Sequence, residues 1–120
     1  MINKNNFYYE IEQDSKIYFS FYHKKKKNLI GQITLINYKN DIYETHSYIA
    51  ESDYVGIGFG VFMYSVVIGW CIKNGYKITS SEIERQSTDA IRLWKSRTLR
   101  KNFNITLEGS RWVVQCGAIQ

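Results

Sequence analysis

Between Tyr54 and Ile72 run nineteen residues without a charge, and Gly56, Gly58 and Gly60 crowd the head of that run. No other feature restricts the folding of this chain so strongly. Nineteen uncharged residues just reach the length of a membrane-spanning helix. Glycine is a poor helix former, however, so the head of the run reads as a loop. The strongly apolar part, Val61 to Ile72, is only twelve residues long, and Asn74-Gly75 stops it as a helix C-cap would. The run therefore predicts a buried helix over about 57–73, not a membrane span.

Upstream of it the period changes. Ile17, Phe19 and Phe21 alternate with Tyr18, Ser20 and Tyr22, the two-residue repeat of a sheet with differently packed faces. Phe7 to Ile11, Leu29 to Asn37 and Ile42 to Ala50 read as further strands, separated by turns at 13–16, 24–28 and 38–41. Four strands joined by tight turns make an antiparallel meander. Downstream, Tyr76 to Ser80 is a short strand. Ser87 to Lys101 reads as one helix with Ser87 as N-cap and Ala90, Ile91, Leu93 and Trp94 on its packing face. Asn102 to Leu107 and Arg111 to Cys116 form a last hairpin. The order is four strands, helix, strand, helix, two strands, an α+β class.

With 120 residues, residues 1–120 are expected to form a single domain around one core. Apolar residues at 44% and aromatics at 16% supply that core and exclude disorder. The net charge of +5 favours anionic partners but falls short of a nucleic-acid signature. Cys71 and Cys116 lack metal-ligand spacing and read as two reduced thiols of a cytoplasmic protein. The stretch from Met1 to Lys16 holds no apolar segment of signal-peptide length, so no signal peptide is expected there.

The chemistry points to Val55-Gly56-Ile57-Gly58-Phe59-Gly60, which follows a strand and opens a helix. Glycines there let a ligand approach the backbone, and the helix start adds N–H groups and partial positive charge, an anion site suited to a pyrophosphate. A dinucleotide fold needs G-x-G-x-x-G after the first strand of a parallel unit. Here the spacing is G-x-G-x-G and a meander precedes it, which disfavours that fold.

The glycine spacing and element order together resemble the GNAT acyltransferase superfamily over about residues 29–103. The helix end Lys73-Asn74-Gly75-Tyr76 and the segment Ser87-Thr88-Asp89-Ala90-Ile91-Arg92-Leu93-Trp94 look like family motifs in the same order. The resemblance implies a GNAT-like, mostly antiparallel mixed sheet with two main helices. It implies acetyl-CoA, or another acyl-CoA, as the bound ligand. Val55, Gly56, Ile57, Gly58, Phe59 and Gly60 would hold its pyrophosphate, and Tyr48, Ile49 and Ala50 its pantetheine arm. Ser87 and Trp94 would complete the cofactor wall. Glu44 falls where some members carry a general base, and His46, two residues on and on the same strand face, is its rival. Partial burial is expected to raise the pKa of Glu44. No metal site is expected.

The chain also departs from the family. Val55 and Ile57 stand where a polar or basic residue is usual, and Trp94 where a tyrosine often protonates the leaving thiolate. The two helices usual between the first two strands are replaced by a turn near Asp14. An open cleft suits a protein acceptor, a partner protein or a second copy in a homo-oligomer. Arg85, Arg92, Lys95, Arg97, Arg100 and Lys101 make the second helix and its approach basic. Two functions follow: an acyltransferase moving acetyl from acetyl-CoA to an amine, or a non-catalytic GNAT-like binding module, an inhibitor or adaptor of phage or mobile-element type.

Overall fold

A computed structural model describes residues 2–115. Its strands β1 (Phe7–Gln13), β2 (Ile17–His23), β3 (Leu29–Lys39) and β4 (Ile42–Ile49) form the expected antiparallel meander. The first turn is tight because the Asp14 carboxylate accepts from the Lys16 N–H at 3.0 Å. Alternation decides the faces. Phe19, Phe21, Ile33 and Leu35 point one way and are fully buried, whereas Tyr8, Tyr18, Tyr22, Gln32 and Thr34 point the other way and stay half-exposed.

The buried face is covered by α1 (Phe59–Asn74), which inserts Phe59, Met63, Tyr64, Val67, Ile68 and Cys71. Those positions recur every three or four residues, the stripe that a helix presents to a sheet. Its flanks are apolar too, because aromatic rings wrap them. Phe62 packs on Phe7 and Phe21, while Trp70 stacks on Tyr76 and meets Phe19 edge-on. That collar explains the long uncharged run. Among the described residues no helix is long and apolar enough to cross a membrane.

From α1 the chain crosses to β5 (Lys77–Thr79), which lies parallel to β4, and ends in the hairpin β6 (Ile105–Glu108) and β7 (Arg111–Val114). The strand order is β1-β2-β3-β4-β5-β7-β6, a mixed and mostly antiparallel sheet of seven strands.

One element differs from the sequence reading. The expected single helix from Ser87 to Lys101 is two, α2 (Thr88–Trp94) and α3 (Arg97–Asn102), broken at Lys95-Ser96. Trp94 and Leu99 are both buried, at 2% and 0% exposure. On one straight helix, five positions at about 100° each would set them roughly 140° apart. The break lets both face the core. Cys71 is buried, which pushes its thiol up to about 12 and leaves it unreactive. Cys116, with the end of the expected last strand, lies outside the described residues.

Candidate active site

The site begins where two strands part. β4 pairs with β5 at only three positions, Ile42 with Lys77, Tyr43 with Ile78 and Glu44 with Thr79. Beyond Glu44 no strand among the described residues pairs with this edge of β4. The Ala50 N–H bonds the Ile30 carbonyl at 2.6 Å, so even-numbered residues of β4 direct their backbone groups to β3. The same alternation turns the N–H and C=O of Ser47 and Ile49 into the fork. Unpaired strand groups of this kind can bind an extended amide-bearing ligand.

A groove of about 610 Å³ runs from this fork to the start of α1. Its walls include Ser47, Tyr48 and Ile49 of β4, Val55, Gly56, Gly58 and Gly60 of the loop, and Ser87, Arg92 and Leu93 around α2. Gly56 and Gly58 have φ of 79° and 92°, conformations that exclude most side chains, and a Cβ at either would project into open space. Gly58 caps α1 without a side chain, so the amides of the first helical turn remain free to meet an anion. Ser87 caps α2, its hydroxyl accepting from the Ala90 N–H at 3.1 Å. Arg92 is the groove's only cation among the described residues, and its weak pairing with Asp89 at 3.6 Å leaves it exposed.

Seven of the residues singled out from sequence for ligand binding line the groove together: Tyr48, Ile49, Val55, Gly56, Gly58, Gly60 and Ser87. Ala50 and the exposed Ile57 lie outside the lining. Phe59 and Trp94 are core residues, at 0% and 2% exposure, so their side chains face away from solvent. Sequence reasoning missed Ser47 and Met63, read Arg92 only as part of a basic helix, and missed the buried Tyr64, whose hydroxyl donates to Ser47 Oγ at 2.9 Å.

Glu44 and His46 lie at the apex of the fork, on the sheet face opposite α1. They touch, with His46 Nε2 at 2.6 Å from Glu44 Oε1. Sequence reasoning missed Arg111, which bonds the other oxygen of Glu44 and the Ser80 carbonyl at 3.0 Å, and stacks over Tyr38 at 4.0 Å. This overturns the expected rise in the Glu44 pKa. Burial does push it up, but hydrogen bonds and charge from Arg111 and His46 outweigh burial and hold it below the usual carboxylate range. Glu44 is thus ionised at neutral pH and can only accept hydrogen bonds. His46 Nε2 must donate, and in a neutral ring Nδ1 then carries the free lone pair.

Residues 3–98 match the acetyltransferase (GNAT) family. This chain belongs to the GNAT acetyltransferase family. A search of curated protein sequences gave no match. Solved GNAT structures share the fold. The ribosomal-protein-S5-alanine acetyltransferase from Vibrio fischeri superposes with a TM-score of 0.61 at 17% identity, over 83% of this chain and 60% of that one. Spermidine N-acetyltransferase from Vibrio cholerae, in complex with CoA and spermine, gives 0.59 at 20% identity, over 84% and 63%. A dodecameric structure of the latter enzyme gives 0.55. This GNAT chain therefore spans less than two thirds of the length of either enzyme.

Proposed function

We propose that this chain is an N-acyltransferase that moves an acetyl group from acetyl-CoA to an amine. The carrying observation is the edge of β4 beyond Glu44, running from the fork to a helix start whose amides are open. The geometry fits such a ligand. The free amides at the head of α1 and the space before Gly56 and Gly58 suit a pyrophosphate, and the edge groups of Ser47 and Ile49 suit the amides of a pantetheine arm. With Val55 and Ile57 apolar, backbone and Arg92 supply the attraction. The thioester would lie near the apex, where a strand N–H can polarise its carbonyl.

Removing a proton from the amine falls to the Glu44–His46 pair. Arg111 fixes Glu44, Glu44 orients the imidazole, and His46 Nδ1 is the base, so Glu44 acts through His46. The turn at 14–16 leaves the approach to β1 and β2 unwalled by helices, which favours an amine on a protein or a partner that completes the site. One solved neighbour is named a ribosomal-protein-alanine acetyltransferase and another is in complex with spermine, which supports an amine of either size.

Acetyl-CoA should raise the melting temperature, because a ligand bound only by the folded state stabilises it by mass action. No shift at millimolar acetyl-CoA would sink the assignment. With an acceptor in hand, His46→Gln should keep acetyl-CoA binding and lose about a hundredfold in turnover, and Glu44→Gln about tenfold. Equal rates in all three proteins would remove the pair from the mechanism. Burial of Trp94 and the apolar Val55 support a second reading, a binding module that takes up CoA and transfers nothing. Full acetyl-CoA binding without turnover on peptide and polyamine amines would select it.

A further inference from the structure

Acyl transfer leaves charge on sulfur, and nothing in the base pair addresses it. The C–S bond breaks, its electron pair stays on the sulfur, and that thiolate must be stabilised until solvent protonates it. Among the described groove residues, Ser47 is the β4 member nearest the last β4–β5 pair. A ligand held by its phosphates at the glycine loop presents its far end there.

Ser47 lies two residues beyond the buried Thr45 and so shares its face, turned to the helix side of the sheet and away from Glu44 and His46. Behind it stands Tyr64 of α1, 4% exposed, donating its hydroxyl hydrogen to Ser47 Oγ at 2.9 Å. A serine hydroxyl has one hydrogen and two lone pairs. With a lone pair occupied by Tyr64, the Ser47 hydrogen is free to be donated to an acceptor in the groove that Ser47 lines. Trp94 meets the Tyr64 ring edge-on at 5.2 Å and fixes its position.

Resting on the acyl-CoA reading above, we propose that the Ser47 hydroxyl donates a hydrogen bond to the sulfur that leaves the thioester, with Tyr64 as its positioning residue. The electron pair of the amine forms the C–N bond, the C–S pair goes to sulfur, the amine proton goes to His46, and water supplies the proton that the departing thiolate takes up. Ser47 and Tyr64 keep their protons throughout. Burial raises the Tyr64 pKa, only partly offset by hydrogen bonding to Ser47 and Thr45, so the phenol stays a neutral donor.

The test needs no acceptor. Free CoA bound to the wild type, Ser47→Ala, Ser47→Thr and Tyr64→Phe is titrated while the ultraviolet thiolate band is followed. A hydroxyl aimed at sulfur favours the thiolate, so the bound thiol of the wild type should titrate about one unit lower than that of Ser47→Ala, a tenfold change in thiolate fraction. Ser47→Thr should restore the wild-type value, and Tyr64→Phe should fall between. Tyr64→Phe enters the comparison only if its melting temperature shows a folded protein, and the serine pair decides the matter without it. Coincident titrations in wild type, Ser47→Ala and Ser47→Thr overturn the assignment while leaving the groove intact. Failure of the wild type to bind CoA overturns the groove reading itself, and this inference with it.

Discussion

Gly31 sits on β3 opposite Ile49, beneath α1. A Cβ there would lie 2.7 Å from Met63 Sδ and 3.0 Å from the Tyr48 carbonyl oxygen. The methionine end can swing aside, but the carbonyl belongs to the β4 backbone. Gly31→Ala should therefore destabilise the protein by about 1–3 kcal/mol, the usual range for overpacking. Thermal melting would measure it, and an unchanged midpoint would mean β4 is free to move. The sequence drew attention to the glycines of the loop because they clustered, and passed over Gly31 because it stood alone in a strand. Arg111 escaped for a different reason. It lies 67 residues from Glu44, and no local period announces a contact of that range.

Two helix starts show how differently caps can be built. Gly58 caps α1 through its φ of 92° alone, and no atom lies within 4 Å of where a Cβ would go. Gly58→Ala should cost about 1–2 kcal/mol from backbone strain, with no clash to relieve. Ser87 caps α2 by its side chain, so Ser87→Ala should cost about 1 kcal/mol. Urea unfolding of both variants separates the two mechanisms, since Gly58→Asn, tolerant of positive φ, should recover part of the loss. The Ser87 cap was readable from residue type, whereas the helix start expected at about 57 fell before Gly58. The break between α2 and α3 was not readable, because Lys95-Ser96 holds neither glycine nor proline, and it is tertiary burial of both Trp94 and Leu99 that imposes it. The meander was legible for the opposite reason, its period being local.

At the scale of the molecule, the Arg111–Glu44–His46 chain links β7 to β4 across β5. Glu44 has a folded pKa below its unfolded one. Its contribution to stability is present above the unfolded value, near 4.5, and is lost as pH falls through the folded pKa. The wild type should thus lose more stability than Glu44→Gln as pH falls below about 5. Parallel acid limbs in pH-dependent urea midpoints would refute the linkage. The four-strand meander and its two differently packed faces followed from the sequence, but the place of β5 between β4 and β7 and the brevity of the β4–β5 seam did not, since pairing length leaves no mark on composition. That seam has a mechanical consequence. Three residue pairs join a plate of four strands to a plate of three, with α1 as the strut between them. The β5–β7 seam is shorter still, at two pairs, so the plates meet across β5 with few backbone bonds to resist a change in the angle between them.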